Sequence, residues 1–137
     1  MRAQRPSANC REHQKIHHKQ VIMDNTGIIE NNKTQMRRGV LEYSILLILA
    51  SGDEYASSII QKLKDVNIIV AEGTTYPLLI RLKKLGLLNY RWEESTQGPP
   101  RKYYMITELG RQQLAGLDAA WEELSSAIES IRKVTDR

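Results

Sequence analysis

The sequence predicts a mainly helical fold with one small β-hairpin, an α+β class, and three stretches of its 137 residues carry that prediction. Over residues 73–86, Leu79, Leu82 and Leu85 or Leu87 recur at three- to four-residue spacing with Arg81, Lys83 and Lys84 between them, which makes an amphipathic helix with a basic outer face. Residues 88–92 and 102–106 are rich in aromatic and branched side chains, and residues 93–101 between them hold Ser, Gln, Gly and two prolines, so the pair reads as two strands around a turn. Further on, Leu114, Leu117, Trp121, Leu124, Ile128 and Ile131 follow at alternating steps of three and four, the a/d seam of a helix that packs along its length against a partner. A basic helix running straight into a hairpin is the core of a winged helix-turn-helix. The seam adds a long C-terminal dimerisation helix.

Each element has its own local reason. The run MRRGVLEYSILLILA, from about Gln35 to Ala50, is apolar nearly all round after Arg38 and should be the buried centre of the domain. Ser51-Gly52 ends it, and Asp53 is expected to cap a second helix in which Tyr55, Ile59 and Leu63 repeat at i, i+4, i+8. Residues 66–70 are short and branched, which suggests a small strand added to the hairpin's sheet. Pro77 falls in the first turn of the following helix, whose N–H groups have no intrahelical partner, and Gly86 supplies the left-handed residue that ends it. Thr107 is a good N-cap for the last helix.

The domain division follows: a polar, basic N-terminal extension over residues 1–35, expected to be partly disordered; a winged-helix domain over 36–107; and the dimerisation helix over 108–137. The extension holds Cys10, His13, His17 and His18, and His13 to His17 is a helical i, i+4 pair. A basic tail that happens to contain all three histidines is the more ordinary reading, so no metal and no cofactor is expected. A single cysteine fits a reducing cytoplasm, no run of eighteen apolar residues suggests a membrane span, and no apolar core of a secretion signal is visible.

The net charge of +4 and pI near 9.3 are weak indicators, because residues 1–22 alone account for the excess. Segregation says more. Residues 73–104 carry six basic side chains against Glu93 and Glu94, whereas residues 108–131 carry five acidic ones against Arg111. A phosphate backbone would be drawn to the basic end of such a dipole.

The stretch GTTYPLLIRLKKLGLL followed by RWEESTQGPPRKYYMITELG resembles the signature of the PadR-like transcriptional regulators, a winged-helix family, from about Met36 to the C-terminus. Gly-Thr-x-Tyr-Pro, Arg-Leu, Gly-Leu, Gly-Pro-x-Arg-Lys-Tyr-Tyr and Thr-Glu-x-Gly fall in one order at family-like spacing. Thr75 departs from the pattern, standing where the family more often has an aliphatic residue, and the polar N-terminal segment is longer than usual. The resemblance implies a repressor. It also implies a pocket, because some compact PadR-like regulators pair a tryptophan across the dimer so that flat aromatic molecules stack between the rings; Trp121, with Leu117 and Ser125, would be that site for a small aromatic effector here.

The expected function is that of a dimeric regulator on double-stranded DNA. Thr74, Thr75 and Tyr76 at the helix N-terminus are suited to base edges and phosphates; Arg81, Lys83 and Lys84 to positioning on the backbone; and Gln97, Gly98, Arg101 and Lys102 to the wing. An enzyme is disfavoured: no Ser/His/Asp order, phosphate-binding glycine loop or paired acids occur, and the one cysteine lies in the polar extension. The rival class is a winged helix used for protein contacts without DNA binding, since fold does not fix function.

Overall fold

The computed structural model describes residues 8–69 and 72–135, with side chains from Gly27 onward except Glu72. In order, these form α1 (Ala8–Ser51), β1 (Glu54–Tyr55), α2 (Ala56–Asp65), a 3-10 turn (Glu72–Thr74), α3 (Thr75–Lys84), β2 (Leu88–Ser95), β3 (Gly98–Ile106) and α4 (Glu108–Thr135). The winged helix-turn-helix with a long last helix is present as expected. The chain divides into two compact units, Met1–Gly39 and Val40–Arg137.

In the first unit the helix begins at Ala8, whereas the sequence reading starts it near Gln35 and leaves most of the preceding residues without regular structure. No proline interrupts residues 8–51, and Glu, Gln, Lys and Arg, all good helix formers, are frequent there. Residues 27–36 are exposed throughout, so local propensity and pairs such as Glu30–Lys33 at 3.2 Å support this part of the helix rather than burial. The candidate ligands Cys10, His13, His17 and His18 lie outside the described side chains.

The second unit holds the core. Leu41, Ile45, Leu46 and Leu49 of α1 meet Ile59, Ile60 and Leu63 of α2, Leu79 and Leu82 of α3, and Leu87, Leu88, Tyr104 and Leu114. Helices of ten residues such as α2 and α3 are marginal alone in water. Burying apolar side chains, at about 1.5–3 kcal/mol each, is what orders them.

α2 and α3 end in the same way. Asn67 N–H reaches Lys64 O and Ile68 N–H reaches Leu63 O, while Gly86 N–H reaches Lys83 O and Leu87 N–H reaches Leu82 O, two Schellman closures with Asn67 and Gly86 at φ 59° and 77°. The closure at Asn67 corrects the small strand expected over residues 66–70. Its N–H groups are committed to the end of α2, and the chain turns there instead of extending; Val70 lies outside the described residues. The third strand is Glu54–Tyr55, which pairs antiparallel with Tyr104 and Tyr103, giving the sheet order β1-β3-β2. Asp53 therefore caps no helix, since Tyr55 occupies the N-cap position of α2 with no side-chain cap.

The hairpin is longer than its composition suggests. β2 and β3 pair from Leu88 opposite Ile106 to Ser95 opposite Gly98, leaving Thr96 and Gln97 as the turn. Pro99 and Pro100 lie inside β3, and the register is irregular between Glu93 and Ser95, as expected where two residues in a row cannot donate to a ladder.

Thr107 joins the end of α3 to α4. Its hydroxyl accepts the Gly110 N–H at 3.0 Å as a true N-cap and donates to Gly86 O at 2.6 Å, while its own N–H reaches Leu87 O at 3.0 Å. Gly110 is buried at this junction, and a Cβ there would overlap the Leu87 carbonyl and lie 2.7 Å from Ile106 Cγ1. Gly110→Ala is accordingly expected to cost about 1–3 kcal/mol by overpacking, seen as a lower midpoint in thermal unfolding; an unchanged midpoint would show that the junction is slack.

Candidate nucleic-acid interface

A cleft of about 570 Å³ opens between α3, the start of α2 and the hairpin, and the cations that line it are Arg101 and Lys102 rather than the Arg81, Lys83 and Lys84 of the predicted basic helix face. Tyr76 and Ile80 of α3 form one wall, Ala56 and Ser57 of α2 the end, and Trp92, Arg101 and Lys102 of the hairpin the other wall. This places the outer side of α3 and the wing around one opening.

The alternation of β2 and β3 explains which side chains face it. Leu88, Tyr90 and Trp92 stand opposite Ile106, Tyr104 and Lys102 on the face turned toward the core and α3. The Lys102 ammonium lies 4.5 Å from the centre of the Tyr90 ring and 5.5 Å from that of Trp92, and Lys83 from α3 approaches the same Tyr90 ring at 5.8 Å. Burial holds the Tyr104 hydroxyl above the usual tyrosine value.

The opposite face is a brace. The Tyr55 hydroxyl donates to Glu93 Oε2 at 2.6 Å, Arg91 donates to Glu93 Oε1 at 2.9 Å, and the Arg91 guanidinium sits 4.5 Å from the centre of the Tyr103 ring. Tyr55 and Tyr103 meet edge to face at 4.8 Å. The hydrogen bond from Tyr55, then that from Arg91, pulls the Glu93 carboxyl below the usual glutamate range, and the same bond raises the Tyr55 phenol. Arg101 is exposed, with its guanidinium 5.6 Å from the centre of the Tyr55 ring.

Comparison with known proteins meets this geometry. The family model of the PadR-like transcriptional regulators matches residues 45–116, more than half of the chain and the whole of α2, α3 and the hairpin. The chain belongs to this family. It is similar to a PadR-like transcription factor of Bacteroides fragilis (56% identity, 74% of this chain and 98% of that one, TM-score 0.62). Similar too are PadR-like or PadR family regulators of Bacillus cereus (37%, 71% and 95%, TM-score 0.64) and Eggerthella lenta (30%, 80% and 96%, TM-score 0.68). Membership makes the protein a transcriptional regulator and not an enzyme. No described helix is long and apolar enough to cross a membrane.

Against the PadR-like reading, the expected contact residues divide. Thr74 is exposed in the 3-10 turn, Tyr76 is 46% exposed, and Arg81, Lys84, Gln97, Gly98 and Arg101 are exposed. Lys83 and Lys102 are half-buried on aromatic rings, so part of each side chain belongs to the packing of the wing. Thr75 is corrected: it is 0% exposed and cannot touch DNA. As the first residue of α3, it points inward on the same side as Leu79 and Leu82. What the sequence reading missed is Ile80, half-exposed on the cleft, and the bracing role of Glu93, which looked like a plain subtraction from the wing's charge.

The seam on α4 also divides. Leu114 is buried and Leu117 is packed against the same core, so these two belong to the chain's own interior, contrary to the expectation that all six form a free seam. Trp121, Leu124, Ile128 and Ile131 remain exposed, and Ser125 is exposed in part. The Trp121 ring lies 6.3 Å from that of Tyr43, whose hydroxyl donates to Asp118, a bond that raises the Tyr43 phenol.

Thr75 Oγ1 is buried without a hydrogen-bond partner among the described residues. Thr75→Val, which keeps the shape and removes the unpaired hydroxyl, should stabilise the fold by about 1 kcal/mol and raise the melting midpoint by a few degrees. A lower midpoint would reveal a partner for that hydroxyl.

Proposed function

We propose that this PadR-like regulator binds double-stranded DNA as a homodimer and represses transcription in the cytoplasm. The observation that carries the reading is the shared opening between α3 and the wing. Residues from both elements line one cleft, and Arg81 and Lys84 continue its basic character along α3. In this reading the N-terminal half of α3 enters the major groove, and the wings rest on the flanking backbone. A protein-interaction module without DNA binding would have no need for Arg101 and Lys102 on one wall of the cleft together with exposed Arg81 and Lys84 on the helix that forms the other.

The dimer is supported by the exposed row Trp121, Leu124, Ile128 and Ile131, too much apolar surface on one stripe of α4 to face water without purpose. Two copies imply half-sites about 34 Å apart. A flat aromatic effector stacking on Trp121, beside Leu117 and Ser125, would act by widening the seam and changing the distance between recognition helices.

Fluorescence anisotropy with duplex DNA at low and near-physiological salt tests the central claim. Binding should weaken steeply with salt, and Arg101→Ala should weaken it to a similar degree for every sequence while lowering the salt slope by about one. Absence of binding at either salt would favour the protein-interaction module. Sedimentation tests the seam: Leu124→Asp should yield monomers, whereas Trp121→Ala should stay dimeric and lose quenching by flat aromatic compounds. A dimeric Leu124→Asp protein would place the interface elsewhere.

A further inference from the structure

We propose that Ile80, supported by Tyr76, reads the 5-methyl group of thymine in the major groove, so that the operator half-site contains a thymine recognised through its methyl. The inference rests on the DNA-binding reading above and names a specificity element within it.

With Thr75 buried, base reading must come from what α3 presents outward. Tyr76 and Ile80 are four residues apart and therefore share one side of the helix, 46% and 50% exposed, and both face the cleft to the wing. The core does not account for them, because the apolar side chains that α3 buries there are Leu79 and Leu82, each at 0% exposure. Ile80 has no donor or acceptor. Half of its surface stands in water, next in sequence to Arg81, four residues before Lys84 and across the cleft from Arg101 and Lys102.

An isoleucine among cations gains nothing from a phosphate. On the major-groove face of the four base pairs the distinct apolar feature is the thymine C5-methyl; the other identifying groups there are hydrogen-bond donors and acceptors. A side chain that can only exclude water from such a methyl favours thymine over cytosine, which offers an amino group instead. The surrounding charges match the strand that carries the thymine, so the occupant of the apolar wall is duplex DNA itself.

The test begins with an operator selected in vitro on the wild-type protein, in which each thymine is replaced in turn by deoxyuridine. That exchange removes one methyl and leaves every hydrogen-bonding group in place. Affinity should fall about fourfold at one thymine per half-site, the loss of one buried methyl, and stay unchanged at the other thymines. Ile80→Ser should bind the thymine and uracil forms of that position alike. If wild-type protein binds the operator and no uracil exchange weakens it, or if Ile80→Ser still distinguishes the two, the inference is overturned while DNA binding stands. If no duplex is bound at low salt, both fail together. The uracil scan uses the wild-type chain, so its outcome is independent of how the variant folds.

Discussion

The close approach of Gly110 to the Leu87 carbonyl is the contact on which the arrangement of the second unit depends. At that point the end of α3, the start of the wing and the start of α4 come together. A glycine is needed because any side chain would overlap the carbonyl. Thr107 then satisfies three backbone groups around the same spot: it caps α4 with its oxygen, and it ties down the Gly86 and Leu87 carbonyls through its hydroxyl and N–H. α3 and α4 are thus joined through hydrogen-bonded backbone rather than through a flexible linker. A change in the direction of α4 would be carried to α3, and under the proposed function this would couple the exposed stripe on one to the DNA-facing side of the other.

The wing shows how the fold uses charge twice. Arg91 and Glu93 are engaged in holding β2 to β1 and β3, through Tyr55 and Tyr103, so neither reports on DNA affinity in the way a simple charge sum assumes. The Lys102 ammonium lies over the Tyr90 and Trp92 rings on the wall of the cleft, half-buried there. A stiff hairpin matters for recognition because a wing that is already ordered loses less entropy on meeting a phosphate backbone. Pro99 and Pro100 restrict the tip for the same reason, with an irregular ladder next to them as the consequence.

α4 has two characters along one helix. Its first three turns are part of the domain core through Leu114 and Leu117, and its later turns expose Trp121, Leu124, Ile128 and Ile131. Tyr43 stands at the change-over, donating to Asp118 and facing Trp121. The heptad spacing runs through both parts without a break, because the same periodicity describes a stripe buried in the core and a stripe left exposed equally well.

The sequence alone determined the local properties of this chain. Helix and strand identity at α3, β2, β3 and α4, the stop at Gly86, the cap at Thr107 and the PadR-like family all follow from periodicity, glycine and threonine chemistry and motif order. Only the tertiary structure decided that Thr75 is buried, that Leu114 belongs to the chain's own core, that Glu54 and Tyr55 supply the third strand and that residues 66–69 do not. The helical conformation upstream of Gln35 also escaped the reading, since a polar, non-periodic helix leaves no hydrophobic pattern to detect. The physical reason is common to the tertiary cases. Whether a given side chain faces core, cleft or partner depends on which elements from distant parts of the chain arrive beside it, and no spacing within one element encodes that.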